Sequence, residues 1–153
     1  MSHTIAVCNN KGGVGKTTST LNIGAQLAQH YRVLLIDMDP QANLTTAFKL
    51  PPDAPQHVGT WILDETPLAT IRHQKGNLHL IPASNSLRET EIMISSKPGG
   101  NKRLRRALKG LQGSYDFILI DCPPSLGLLT VNAFLAADKF LSPFEASYFS
   151  YSG

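Results

Sequence analysis

Residues 10–18 read Asn-Lys-Gly-Gly-Val-Gly-Lys-Thr-Thr, and these types at this spacing fit one chemical task, holding a chain of phosphates. Gly12, Gly13 and Gly15 let the backbone curl so that successive N–H groups, with those of Val14 and Thr18 beside them, can turn toward phosphate oxygens. A helix starting near Thr17 adds the positive end of its dipole. Lys16 can then reach the β- and γ-phosphates of a nucleotide such as ATP, and the Thr17 hydroxyl can bind Mg²⁺. The usual pattern, G-x-x-x-x-G-K-[ST], asks for glycine at position 10, where this chain has Asn, although the Gly15-Lys16-Thr17 core is intact. A glycine-rich turn that merely joins a strand to a helix is the competing reading, and the Lys-Thr pair at the helix start speaks against it. Lys11 is an extra cation in this loop and by itself reads as a solvated surface charge.

Three carboxylates sit at the ends of apolar runs. Asp37 and Asp39 follow Arg-Val-Leu-Leu-Ile, and Asp121 follows Phe-Ile-Leu-Ile. Strand ends of this kind lie at the carboxyl edge where α/β sheets place ligands. The Asp37/Asp39 pair taken alone fits helix capping as well as it fits catalysis, and any buried strand can end in Asp by chance. Beside a phosphate loop, Asp121 offers the hard oxygen that a site for Mg²⁺ needs.

The elements that must position these groups alternate. Ile5 to Cys8 reads as a buried strand, and a helix from Thr17 carries apolar residues at Leu21, Ala25, Ala28 and Tyr31, the spacing of one face. Arg32 to Ile36 is a second strand, Leu78 to Ile81 a third, Phe117 to Ile120 a fourth and Lys139 to Leu141 the start of a fifth. Helices are predicted from about Ser86 to Ser95, over 102–112 and over 126–137, with a loop carrying Pro98, Gly99 and Gly100 between the first two. Pro51 to His57 reads as a surface excursion. Short, wholly apolar strands alternating with helices predict an α/β fold, doubly wound, with a mainly parallel sheet and helices on both faces.

Composition narrows the classes. With 42 % hydrophobic and 16 % charged residues, the chain reads as one folded domain over 1–153. No apolar run approaches the roughly 18 residues of a membrane span. Cys8 and Cys122 lack the spacing of a zinc site or disulfide framework, which fits a reducing cytoplasm. The predicted 102–112 helix has Leu104, Ala107, Leu108 and Leu111 on one side and Lys102, Arg103, Arg105, Arg106 and Lys109 on the other. A solvated face is the plainer reading of those cations, contact with DNA phosphates the alternative.

Taken as a block, Lys11 to Thr18 resembles the deviant Walker A family of P-loop ATPases, which includes ParA, MinD, the nitrogenase iron protein and the arsenite-pump ATPases. Asp-Pro-Gln-Ala-Asn at 39–43, Ile-Pro-Ala-Ser at 81–84, Tyr-Asp-Phe-Ile-Leu-Ile-Asp-Cys-Pro-Pro-Ser at 115–125, and Pro143 with Tyr148-Phe149 resemble the ParA/Soj-like DNA-partition branch. The resemblance implies that Lys11 crosses an ATP-bound homodimer to the partner's phosphates. It implies that Asp39 orients the attacking water, that Asp37 supports Mg²⁺, and that Asp121 is the Walker B carboxylate. It further implies non-specific DNA binding, a centromere-binding ParB-like partner, no membrane association, and a cytoplasmic, nucleoid-associated protein. Family members run on past the point where this chain stops, so the chain is expected to lack the C-terminal part of the family fold. A MinD-like membrane-cycling ATPase, a non-hydrolysing nucleotide-binding domain and a small-molecule kinase are the alternatives. The nitrogenase-type cluster needs two suitable cysteines, and Cys8 falls in the first buried strand, so no iron–sulfur site is expected.

Overall fold

Strand β2, Val33–Asp37, is buried at every position, because it lies inside a sheet covered on both faces. Its odd and even residues serve different cores. Leu34 and Ile36 pack with Ala6, Ile81, Ile118 and Ile120 on one face, while Val33 and Leu35 pack with Leu78, Leu80 and Leu119 on the other. That is why the strands read as unbroken apolar runs rather than as alternating ones.

The computed structural model describes residues 2–63 and 66–145. Its strands are β1 (His3–Val7), β2, β3 (His73–Lys75), β4 (Leu78–Ile81), β5 (Phe117–Asp121) and β6 (Lys139–Leu141). They form one sheet in the order β3-β4-β2-β5-β1-β6, parallel throughout except for the antiparallel edge pair β3 and β4. The helices are α1 (Lys16–Leu27), α2 (Asn43–Ala47), α3 (Val58–Ile62), α4 (Leu68–Ile71), α5 (Leu87–Ser96), α6 (Arg103–Lys109) and α7 (Leu128–Ala136). Helix α1 lies on one face against β1, β2 and β5, with α2 beside it. Helices α3, α5, α6 and α7 pack together on the other face. The doubly wound, mainly parallel α/β fold is as the sequence predicts. Tyr148 and Phe149 lie outside the described residues.

Register brings the chemistry to one edge. Val7 of β1 and Asp37 of β2 both pair with Asp121 of β5, so three neighbouring strands end level and their following loops meet at the same rim.

Two expectations are corrected. The face of α1 that turns inward is Lys16, Thr20 and Gly24, not the Leu21-Ala25-Ala28-Tyr31 stripe; Ala25 is exposed and Tyr31 is 46 % exposed. The cause is Gly24, where a Cβ would stand 2.6 Å from Leu35 Cδ2. Without that atom the helix approaches the sheet on its small residues, and Leu21, Leu27 and Ala28 fill the flank. The 51–57 excursion also ends differently. His57 is 1 % exposed and caps α3, its Nδ1 accepting from the Gly59 amide at 3.1 Å. Because Nδ1 accepts there, Nε2 carries the proton toward Ser86 Oγ, 3.1 Å away. The pair is therefore a tether between α3 and α5 and not a base activating a serine.

Helix α6 is shorter than the predicted 102–112 span and begins after a 3-10 turn, Gly100–Lys102, which takes in the last two residues of the expected loop and the first of the expected helix. Asn132 of α7, wholly buried, holds this start. Its Oδ1 accepts from the Leu104 amide at 3.1 Å, and its Nδ2 donates to the carbonyls of Gly100 at 2.9 Å and Leu128 at 3.0 Å. Asn132→Ala leaves a buried amide and carbonyl without partners and is expected to cost about 2–4 kcal/mol. Urea unfolding checks this as a lower midpoint at unchanged slope.

Candidate nucleotide site

The loop leaving β1 is fixed at its root. Cys8 N–H donates to the Leu141 carbonyl at 2.9 Å, Asn9 Nδ2 donates to the Pro143 carbonyl at 2.8 Å, and Asn9 Oδ1 accepts from the Lys11 amide at 2.9 Å. Beyond that root, Gly13 (φ 74°) and Gly15 (φ 90°) take left-handed backbone angles, which glycine adopts without strain. The amides of Gly12, Gly13, Val14, Gly15, Lys16 and Thr17 donate to no group among the described residues, and α1 starts at Lys16 without a side-chain cap. A row of unbonded N–H groups at the start of a 12-residue helix is a receptor for an anion.

The two lysines of the loop differ. Lys16 is 7 % exposed, and its Nζ donates to the Lys11 carbonyl at 3.0 Å, so the ammonium is held inside the turn it would neutralise with phosphate. Lys11 is exposed, as is Thr18. Lys11 borders a cleft of about 590 Å³ together with Val14, Pro123, Leu126 and Phe144. That cleft lies beside the loop and does not include Lys16, Thr17 or Asp39.

Thr17 Oγ1 donates to Asp121 Oδ2 at 2.6 Å, joining the helix start to the end of β5. Asp121 is 1 % exposed, and its other oxygen, Oδ1, is buried without a hydrogen-bond partner. Burial pushes this carboxyl up to about 7; the Thr17 bond opposes the shift, the charges of Asp37 and Asp39 add to it, and Lys16 lowers it. A hydroxyl and an orphaned carboxylate oxygen next to unbonded loop amides fit Mg²⁺, which takes one or two protein oxygens and completes its shell with phosphate and water. Among the described residues no group of three or more His, Cys, Asp or Glu could enclose a metal without such help.

Asp37 is fully buried, and both its oxygens are engaged. Oδ1 accepts from the Asp39 amide at 3.1 Å, and Oδ2 accepts from the Thr45 amide at 2.9 Å and hydroxyl at 2.7 Å. Burial, the largest influence, raises its pKa to about 6 against those bonds. The arrangement fits a carboxylate that positions the Asp39 backbone and acts on a metal by charge rather than by direct contact. Asp39 is 8 % exposed; its Oδ1 accepts from the Gln41 amide at 2.9 Å, and its Oδ2 makes no hydrogen bond among the described residues. Ala42 beside it holds a left-handed φ of 52° and donates to the Asp39 carbonyl at 2.8 Å, a strained conformation for a residue with a side chain. Cys122 is 1 % exposed, and burial pushes its thiol well above the ordinary range, which makes it a poor cluster ligand.

The structure thus brings Gly12 to Thr17, Asp37, Asp39 and Asp121 to one rim and sets Lys11 apart on its surface. Thr45 and Asn9 were not picked out in the sequence. Thr45 acts through Asp37 eight positions away, and only Asn9's place at the start of the loop, three residues before Gly12, hints at its task.

In the metal-free protein the two raised carboxyls set a pH dependence. Their folded-state pKa values exceed the usual carboxylate values, so their contribution to stability is complete below about 4 and is lost as pH rises through about 6 for Asp37 and about 7 for Asp121. His57 and His79, both lowered by burial, oppose them: their contribution is present above the ordinary imidazole value of about 6.5 and is lost as pH falls below it. Asp37 is mostly ionised by about pH 6.5, so Asp121 is the raised carboxyl still titrating above it, and the thermal midpoint of the wild type in chelator is expected to fall relative to that of Asp121→Asn between about pH 6 and pH 8. Thermal scans of both proteins across pH measure this.

The whole chain matches one family model. Residues 2–153 fit the AAA domain. The chain belongs to the AAA domain family. Within this family it is similar to the sporulation initiation inhibitor protein Soj of Bacillus subtilis, at 42 % identity over 100 % of this chain and 62 % of that protein. It is also similar to the chromosome partitioning protein ParA of Myxococcus xanthus, at 41 % identity over 97 % of this chain and 54 % of that one. The chain therefore spans little more than half the length of these curated relatives. Among solved structures, the protein named cobyrinic acid a,c-diamide synthase from Mycobacterium smegmatis, with bound ATP analogue and magnesium, superposes at a TM-score of 0.94. It shares 38 % identity with this chain, over all of this chain and 64 % of that one. The sequence reading of a ParA/Soj-like P-loop protein is thereby shown at the level of family. Among the described residues no helix is long and apolar enough to cross a membrane.

Proposed function

We propose that this chain is the nucleotide-binding portion of a partition ATPase that binds Mg-ATP, dimerises around it, contacts DNA without regard to sequence and resets by hydrolysis. The observation that carries the reading is the Thr17–Asp121 pair, with its unpartnered Oδ1, beside the unbonded loop amides. Bound Mg²⁺ would supply charge neutralisation at the phosphate oxygens, held by the Thr17 hydroxyl and Asp121. The loop amides bind phosphate oxygens, Lys16 exchanges the Lys11 carbonyl for the β- and γ-phosphates, and Asp37 holds the Asp39 backbone in place. The free oxygen of Asp39 orients the attacking water. Most of the rate comes from positioning and charge compensation.

Lys11, exposed and outside its own Lys16–Thr17–Asp121 cluster, is left to act on a partner subunit's phosphates. Sedimentation of the full-length protein with a non-hydrolysable ATP analogue tests this. Lys11→Gln is expected to bind the analogue and remain monomeric, whereas a solvated surface lysine would leave the dimer intact and change stability by less than about 0.5 kcal/mol. The similarity to Soj and ParA also supports reset by a ParB-like partner and a place on the nucleoid in the cytoplasm. The name of the M. smegmatis protein points to an ATP-dependent amide-forming enzyme. The Asp-Pro-Gln-Ala-Asn and Asp-Cys-Pro-Pro-Ser segments favour partition.

A further inference from the structure

Between Glu91 and Asp116 the chain carries Lys97, Lys102, Arg103, Arg105, Arg106 and Lys109 and no acidic residue. Helix α6 and the turn before it hold most of these. Lys102, Arg105, Arg106 and Lys109 are exposed and make no ion pair among the described residues. A helix face that is only solvated usually interleaves signs. Here the 102/106 and 105/109 pairs set like charges at i,i+4, each destabilising by a few tenths of a kcal/mol, and Lys102 stands at the positive end of the helix dipole. The fold nevertheless fixes this helix through buried Leu104 and Leu108 and through Asn132. A cluster maintained against its own repulsion calls for a dense anion.

The surface selects among polyanions. The apolar stripe of α6 is spent on the core, so nothing is left to insert into a lipid surface. The exposed side carries no aromatic ring on which a base could stack. What remains is contact with phosphates: roughly 10 Å of helix bearing four free cations, facing a duplex with one charge per ~1.7 Å of axis. Arg105 and Lys109 also border a cleft of about 650 Å³ between α6 and the N-terminal end of β1, with Asp138 also lining it and engaged by the Thr4 amide.

We propose that the outer face of α6, through Lys102, Arg105, Arg106 and Lys109, is a contact surface for the phosphate backbone of duplex DNA. The proposal rests on the DNA-binding part of the function given above and assigns it a place in this chain.

The test uses the full-length protein with a non-hydrolysable ATP analogue, two unrelated duplexes and a salt series followed by fluorescence anisotropy. The K102Q/R105Q/R106Q/K109Q variant is expected to lose at least about tenfold in affinity, equally on both duplexes. Its plot of log affinity against log salt should flatten by about 0.9 for each phosphate that is no longer neutralised. R105K/R106K should keep the wild-type slope, and DNA-free ATP turnover should be unchanged in both variants. A quadruple variant with wild-type affinity and slope overturns the α6 assignment while leaving the DNA reading intact. Wild-type protein that binds neither duplex overturns both. Weakening on one duplex alone overturns backbone recognition, and α6-dependent binding to phosphatidylserine vesicles without DNA binding overturns the choice of partner.

Discussion

Lys16→Ala is expected to abolish measurable Mg-ATP binding while leaving the fold in place. The Lys16 ammonium is almost wholly buried and donates to the Lys11 carbonyl. Its desolvation is thus already met, and exchange of that carbonyl for phosphate oxygens replaces a neutral acceptor with a charged one. Two charge-assisted hydrogen bonds at about 1.5–3 kcal/mol each correspond to a loss of about 10²–10⁴ in affinity. The loop amides remain in the variant, so inorganic phosphate or ADP can still bind weakly. Calorimetric titration reads the loss, and a thermal scan shows that the sheet, whose cores do not include Lys16, is retained. Wild-type affinity in the variant would mean that the loop binds no triphosphate.

The parts of the site that were legible in the sequence are those fixed by local chemistry. Gly15-Lys16-Thr17 announces itself because left-handed backbone, a cation and a hydroxyl must follow one another directly. Asp37 and Asp121 announce themselves because strands buried on both faces read as unbroken apolar runs that stop at a carboxylate. What was illegible depends on tertiary approach. The inward face of α1 could not be read from apolar spacing, since Gly24 lets small residues meet Leu35 and Leu119. Thr45 and Asn132 are polar residues whose partners lie elsewhere in the chain. Helices α2, α3 and α4 and strand β3 span five, five, four and three residues, too short for a period to emerge. The cations of α6 were legible as a basic side, but that Lys102, Arg105, Arg106 and Lys109 make no ion pair among the described residues needed the fold.

Asp39→Ala is expected to leave nucleotide binding and dimerisation intact and to slow hydrolysis by about 10²–10⁴, the range for removal of a positioned proton acceptor. Asp39 makes no hydrogen bond to the loop amides or to the Thr17–Asp121 pair and acts on Asp121 only through its charge. Its Oδ1 is occupied by the Gln41 amide and its Oδ2 is free, while Asp37 fixes its backbone. The variant removes that free oxygen and leaves the phosphate cradle untouched. Phosphate release from full-length protein preloaded with ATP, with Mg²⁺ and with chelator, tests the account most directly. The expected result is Mg²⁺-dependent release by the wild type, none in chelator, and release slowed on the order of 10³-fold in Asp39→Ala at unchanged nucleotide occupancy. Release that persists undiminished in chelator, or in Asp39→Ala, would contradict it.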